Sequence, residues 1–99
     1  MFQKIKPIRN MKYRDFVGKL PCSVPDCNHK SYAHHEQQEG QGTMGGKCCD
    51  SRMVPLCLWH HRDRHDIGRL FWWQMRVEAE ELIKNTQRRW IEAGNKVFW

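Results

Sequence analysis

The chain has 99 residues, of which 39% are hydrophobic and 28% are charged, and 17 Lys and Arg residues against 11 Asp and Glu residues leave a net charge of +6. A chain of this length predicts one domain with a small core. No apolar run approaches the roughly 20 residues that a membrane-spanning helix needs, so we expect no membrane span, and the positive charge favours a polyanionic partner.

The first 21 residues are predicted to form a basic arm that ends in a short helix. Five cations precede the first acidic residue, and they are Lys4, Lys6, Arg9, Lys12 and Arg14. Such a segment suits contact with phosphate groups, although a solvated tail has the same composition. Apolar residues at helical spacing predict a helix over residues 12–19, which Pro21 ends. Because no apolar stretch follows the cations, the arm is unlike a secretory signal, and we expect a cytoplasmic protein.

Residues 22–66 contain all five cysteines and all six histidines of the chain. In a reducing cytoplasm, these cysteines favour metal ligands or free thiols over disulfides. Two short strands are predicted over residues 31–35 and 52–56, followed by a helix over 58–66. We interpret the glycine-rich segment between the strands as a flexible connector, because Cys48 follows Lys47 where a phosphate-binding loop requires Ser or Thr.

From about Arg69 to Ala93, the spacing of apolar residues predicts one long helix, with Gly94 as its C-cap. We assign its apolar stripe to the core, and the stripe consists of Trp72, Met75, Ala79, Leu82, Ile83, Thr86 and Trp90. A dimer contact is the alternative, because the aromatic residues near this end form a large surface for so small a core to bury. We expect residues 1–21, 22–66 and 67–99 to be parts of one domain, in a monomer or a homodimer.

Two pairs of possible metal ligands predict a structural zinc site. The segment "PCSVPDC" places Cys22 and Cys27 with four residues between them, and "CLWH" places Cys57 and His60 three positions apart at the entrance of a helix. Together they make the closed tetrahedral set of a structural zinc site, which adds folding free energy that a small core lacks. Free thiols are the alternative. The adjacent pair "CC" is left out, because neighbouring cysteines rarely chelate one ion.

A second set of possible metal ligands consists of histidines that point away from the predicted zinc site. His60 and His61 differ by about 100° around the helix axis, and His65 lies one turn beyond His61. The dipeptide of His34 and His35 offers two more imidazoles. Three imidazoles leave coordination positions open for water and a phosphate oxygen, and a fourth can take a proton from attacking water. Adjacent residues on a regular strand face opposite sides, so the dipeptide serves one site only if the strand end is distorted.

The order of the motifs "PCSVPDC", "AHH", "GTMGGKCCD" and "VPLCLWHHRDRH" resembles the HNH nucleases with the ββα-metal fold, especially their small phage and bacterial members. The resemblance covers about residues 20–66 and depends on the combination of the motifs. It implies an α+β fold, in which a ββα-metal core with a structural zinc ion is flanked by the basic arm with its short helix and by the long C-terminal helix.

The resemblance also implies roles for individual side chains. His35 would be the general base, and the catalytic ion, Mg²⁺ or Mn²⁺, would be bound by His34, His61 and His65. Asp50 is the closest match to the asparagine of the family, and it would either orient His35 or join the metal shell. In the zinc-containing branch of the family, the zinc ion is bound at the positions of Cys22, Cys27, Cys57 and His60.

The implied function is a metal-dependent DNA endonuclease that hydrolyses phosphodiester bonds and leaves a 5′ phosphate and a 3′ hydroxyl. As a monomer with one site, it would nick one strand. The cations expected to contact DNA are Lys47, Arg52, Arg62 and Arg64. The alternative is a zinc-stabilised nucleic-acid-binding module without catalysis, in which the histidines outside the zinc site are incidental.

Overall fold

The computed structural model describes residues 8–36 and 49–99. In chain order, the elements are α1 (Met11–Gly18), β1 (Ser31–His35), a 3₁₀ turn (Asp50–Arg52), β2 (Met53–Cys57), α2 (Leu58–Ile67), α3 (Leu70–Gln74) and α4 (Ala79–Glu92). The described chain is therefore α+β, as the sequence predicts. Lys4 and Lys6 of the basic arm, together with Lys47, Cys48 and the glycine-rich segment, lie outside the described residues.

Helix α1 begins at a side-chain cap and faces the sheet. The carboxamide oxygen of Asn10 accepts a hydrogen bond from the backbone N–H of Tyr13 at 3.0 Å, which satisfies one of the free donors at a helix start. Tyr13 and Val17, one helical turn apart, are buried against the sheet. The short helix predicted over residues 12–19 is confirmed, one residue earlier than expected.

The sheet consists of β1 and β2, which pair antiparallel from Ser31 opposite Cys57 to His35 opposite Met53. Every residue of β2 is buried, whereas β1 alternates more in its exposure. Because successive side chains of a strand point to opposite faces, β2 divides its apolar residues between two cores. A two-stranded sheet is marginal alone, so helices on both faces stabilise it.

Two apolar clusters lie on the two faces of the sheet. The first cluster contains Cys22, Val24, Val54, Leu56, Cys57, Phe71, Trp72 and Ile83. The second cluster contains Tyr13, Val17, Met53 and Trp90, with Phe16, Ala33 and Phe98 packed against it. In the second cluster, the ring of Tyr13 lies 5.2 Å from that of Trp90 and 4.9 Å from that of Phe98. The segment after α4 therefore completes this core.

The prediction of one long C-terminal helix is wrong, because the chain turns between α3 and α4. The N–H of Val77 donates to the carbonyl of Trp72 at 3.1 Å, and Arg76 has a φ of 59°, a left-handed conformation that ends a helix. The turn lets Trp72 and Ile83 pack into the first cluster while Trp90 reaches the second. The apolar stripe is thus core, although two helices carry it. None of the helices in the described ranges is long and apolar enough to span a membrane.

Candidate metal centres and a histidine–carboxylate pair

The two predicted pairs of zinc ligands come together beside the first cluster. Cys22 and Cys27 lie in the loop after α1, Cys57 ends β2, and His60 lies in the first turn of α2. Their ligand atoms all lie within 4.8 Å of one another, with 3.8 Å between the sulfurs of Cys27 and Cys57 and 3.2 Å from the Cys57 sulfur to His60 Nδ1. Tetrahedral zinc–thiolate bonds of about 2.3 Å separate ligands by roughly 3.8 Å. These four side chains can therefore hold a metal ion such as zinc.

The sulfur of Cys22 is buried within this Cys/His cluster. Burial raises the pKa of Cys22 to about 11, although the backbone N–H of Cys57 donates to its sulfur at 3.3 Å. A buried thiol of this kind becomes a thiolate when a metal replaces its proton. Cys49, in contrast, lies outside the cluster, and its sulfur accepts a hydrogen bond from the N–H of Ile8 at 3.4 Å.

A second cluster joins one histidine of β1 to two of α2. The ligand atoms of His34, His61 and His65 lie within 4.8 Å of one another, and the Nε2 atoms of His61 and His65 are 3.0 Å apart. Burial, followed by the nearby His34 and His65, lowers the pKa of His61, so its imidazole stays neutral, the form that binds metals. The sequence predicted this grouping of three histidines, and we call it the histidine cluster.

Glu36 supports the histidine cluster and was not identified from the sequence. Its carboxylate, in a residue only 2% exposed, accepts a hydrogen bond from His34 Nε2 at 3.0 Å and two from Arg64, at 3.0 and 2.8 Å. Burial alone would raise its pKa, but the bonds from His34 and Arg64 lower the pKa of Glu36 to about 2. The available signal was its position two residues after His34, which places both side chains on one face of the chain.

His35 faces away from the histidine cluster and bonds to Asp50. Strand pairing remains regular through His35, so its side chain leaves β1 on the side opposite to that of His34. Its Nε2 lies 2.8 Å from Asp50 Oδ1. Arg9 donates to the same oxygen at 2.9 Å, and the N–H of Asn10 donates to Oδ2 at 2.7 Å. The strand end is therefore not distorted, and the two adjacent histidines belong to two different arrangements.

The cations predicted to contact DNA lie in different settings. Arg64 holds Glu36, and Arg52 donates to the carboxylate of Glu80 at 3.1 Å and to the backbone carbonyl of Glu36 at 2.9 Å. Both guanidinium groups thus have partners within the protein. Arg62 lies on the exposed face of α2, and Lys47 lies outside the described residues.

No protein-family description, curated protein or solved structure matches this chain. The functional interpretation therefore rests on three arrangements of side chains around the hairpin. These are the Cys/His cluster at the start of α2, the histidine cluster supported by Glu36, and the His35–Asp50 pair at the end of β1.

Proposed function

We propose that the protein is a metal-dependent DNA endonuclease of the HNH type, in which β1, β2 and α2 form a ββα-metal core. The observation that carries the proposal is the juxtaposition of two arrangements at the end of β1. Three imidazoles converge there from a strand and a helix, while the adjacent His35 is held by a buried carboxylate. Hydrolysis of a phosphodiester needs both a cation near the phosphate and a base for the attacking water.

The histidine cluster is suited to a catalytic rather than a structural ion. His34, His61 and His65 offer three nitrogen ligands and would leave coordination positions open. Glu36 accepts the hydrogen bond from Nε2 of His34, so the proton lies on Nε2 and the Nδ1 lone pair of His34 would be available to hold an ion. When bound, a divalent ion would supply positive charge that stabilises the pentacovalent phosphorus and the leaving 3′ oxygen. Three imidazole ligands suit an ion such as Ni²⁺ better than the expected Mg²⁺ or Mn²⁺.

His35 is suited to act as the general base. The hydrogen bond to Asp50 fixes the proton on Nε2 and leaves Nδ1 with a lone pair, in the same way that a carboxylate fixes the tautomer of a catalytic histidine elsewhere. About a third of its side chain, 30%, is exposed, so water can reach it. His35 takes a proton from the water that attacks phosphorus in line, and Asp50 stabilises the imidazolium that results. Asp50 is therefore a positioning residue.

The Cys/His cluster has a structural role in this proposal, as the site of a zinc ion whose four protein ligands leave no open position. Arg62 is the exposed cation on α2 that is best placed to contact the DNA backbone. Because His34 and His35 leave β1 on opposite sides, the phosphodiester to be cleaved would have to lie across the end of the strand to approach both His35 and the histidine cluster. A zinc-stabilised nucleic-acid-binding module would have no use for the His35–Asp50 pair.

The proposal is tested with supercoiled plasmid and zinc-loaded protein from which other divalent ions have been removed. Restoring Mg²⁺, Mn²⁺ or Ni²⁺, tested separately, is expected to convert the plasmid to open circles under at least one ion. His35→Ala is expected to slow that conversion by a factor of at least about 100. His29→Ala is the matched control, because His29 is exposed and belongs to neither cluster.

Two results would contradict the proposal. Cleavage that continues in His35→Ala would remove the assigned base. Binding of DNA by the wild-type protein with no cleavage under any of the three ions would favour the alternative, the binding module without catalysis. A loss of cleavage in His29→Ala equal to that in His35→Ala would show that the assay reports folding rather than catalysis.

A further inference from the structure

An open groove of about 440 Å³ lies between α1 and the beginning of β1. Its lining residues come from the second half of the helix and from the start of the strand, and they are Arg14, Asp15, Gly18, Lys19, Lys30, Ser31, Tyr32 and Ala33. The groove lies apart from both clusters of possible metal ligands. None of its residues has a role in the proposed mechanism.

The lining of the groove is positively charged. Three exposed cations, Arg14, Lys19 and Lys30, stand against the single carboxylate of Asp15. Within residues 8–36 and 49–99, none of these three cations forms an ion pair. They differ in this respect from Arg52 and Arg64, whose guanidinium groups are engaged by carboxylates of the protein. Their charge is free to bind an anion.

An aromatic side chain accompanies the cations. Tyr32 is 48% exposed, and the ammonium group of Lys30 lies 5.7 Å from the centroid of its ring, a cation–π distance. An exposed aromatic ring beside unpaired cations is the combination that binds sugar–phosphate backbones and their bases. A small anion such as free phosphate would need only the cations.

The residues of β1 that line the groove precede the proposed catalytic groups in the chain. It follows residues 30–33, and the next two residues of the chain are His34 and His35. At about 3.3 Å per residue of a strand, Tyr32 and His35 are about 10 Å apart along β1. This corresponds to roughly three base-pair steps of 3.4 Å along the axis of a DNA duplex.

We propose that this groove binds the phosphate backbone of the DNA strand, a few nucleotides to one side of the phosphodiester that is cleaved. The proposal rests on the proposed nuclease function for the identity of its ligand. Arg14, Lys19 and Lys30 neutralise successive phosphates, and Tyr32 forms the wall against which the strand lies. The groove therefore determines the direction in which the strand crosses the end of β1.

The test is the salt dependence of DNA binding, measured by fluorescence anisotropy on a labelled duplex with zinc-loaded protein and no other divalent ion. The triple variant Arg14→Gln, Lys19→Gln, Lys30→Gln is compared with the wild-type protein. Each lost phosphate contact reduces the slope of log K against log salt by about 0.9, so the slope is expected to fall by between about 2 and 3. Lys19→Gln alone gives about a third of this effect and guards against a triple variant that fails to fold.

The matched control removes the same charge elsewhere. Lys84, Arg88 and Lys96 are exposed cations of α4 and the segment after it, and the triple change of these residues to Gln alters the net charge equally. We expect this control to keep a slope within about 0.5 of the wild-type value.

Three outcomes overturn the groove proposal: a groove variant with the wild-type slope, a control that loses the same slope, or a wild-type protein that does not bind DNA. The nuclease proposal fails separately. A groove-dependent slope together with a plasmid that is never cleaved would retain the groove and reject catalysis.

Discussion

Glu36 connects the strand and the helix that form the histidine cluster. Its carboxylate is buried yet ionised, because His34 donates to it from β1 and Arg64 donates to it from α2. A carboxylate bonded to a metal-binding histidine fixes the orientation of the ring and makes it a better ligand. Helix α2 also carries His61 and His65. The Arg64–Glu36 ion pair therefore holds these two histidines close to His34 on β1.

Replacing Glu36 with Gln is expected to weaken metal binding at the histidine cluster by about 10- to 100-fold. Gln has nearly the same size, but it lacks the negative charge that holds the imidazole of His34 and the guanidinium of Arg64. Isothermal titration of zinc-loaded protein with Ni²⁺, an ion that imidazole ligands suit, measures the affinity. Glu81→Gln is the control, since Glu81 is an exposed carboxylate of α4. Equal affinities of Glu36→Gln and the wild-type protein would contradict the assigned role.

Asp50 makes the stability of the fold depend on pH. Burial acts to raise its pKa, but hydrogen bonds from the Asn10 amide, His35 and Arg9 outweigh burial and lower the pKa of Asp50 below its ordinary value of 3.8. A carboxyl group whose pKa is lower in the folded state stabilises the fold above its unfolded pKa. That contribution is lost as the pH falls through the folded pKa.

Asp50→Asn is therefore expected to lower the free energy of unfolding by about 1.5 to 3 kcal/mol at pH 7, the contribution of hydrogen bonds to a charged group. The difference between the variant and the wild-type protein should shrink between pH 5 and pH 3. Guanidinium chloride unfolding of both proteins at pH 7, 5 and 3 measures this difference in the free energy of unfolding. Asp63→Asn, at an exposed position of α2, should show little difference at any pH. A difference for Asp50→Asn that is the same at pH 3 as at pH 7 would exclude this linkage.

At the scale of elements, the sequence predicts what local patterns encode and misses what tertiary contacts decide. The short helix, both strands and α2 are confirmed within one or two residues, because apolar spacing, Pro21 and the paired ligand spacings are local signals. The break between α3 and α4 carries no Gly or Pro, so the helical pattern runs through it. In the site, the four predicted zinc ligands come together, and they are Cys22, Cys27, Cys57 and His60. The ion pair between Glu36 and Arg64 was not predicted, because it depends on how α2 lies against β1.

The left-handed residue in this break gives a test of the turn itself. Arg76 has a φ of 59°, a conformation that is unfavourable for any residue with a Cβ atom and free for glycine. Arg76→Gly is expected to raise the free energy of unfolding by about 0.5 to 1 kcal/mol. Arg88→Gly makes the same exchange in the interior of α4, and there the free energy of unfolding should fall by about 1 kcal/mol. Urea unfolding of both variants measures the two effects, and a loss of stability in Arg76→Gly would show that the chain does not turn there.

At the scale of the whole molecule, the core is small and divided. The sheet separates the two apolar clusters, and the larger of them already includes Cys22 and Cys57. Such a chain gains less from apolar burial than a larger domain does. The Cys/His cluster joins the loop after α1 to the junction of β2 and α2, and Cys27 and Cys57 are 30 positions apart in sequence. A metal bound there closes the chain around the first cluster.

Cys57→Ser is therefore expected to lose one equivalent of zinc per chain and to be largely unfolded at 25 °C. A structural zinc ion contributes about 10 to 16 kcal/mol in zinc-finger peptides, which is comparable to the roughly 5 to 15 kcal/mol by which a typical domain is stable. Metal analysis and far-ultraviolet circular dichroism measure both effects, with Cys49→Ser as the matched control outside the cluster. A folded Cys57→Ser protein without zinc would reject the structural role.

The two candidate metal centres should respond differently to these changes, because α2 carries possible ligands of both. Loss of zinc in Cys57→Ser removes the support for the first turn of α2, where His60 and His61 lie, so Ni²⁺ binding at the histidine cluster should disappear as well. Glu36→Gln, in contrast, should weaken Ni²⁺ binding while its zinc content stays at the wild-type value. Measuring zinc content and Ni²⁺ affinity on both variants distinguishes a hierarchy, in which zinc holds the scaffold for the second site, from two independent sites. Normal Ni²⁺ binding by zinc-free Cys57→Ser would contradict that hierarchy.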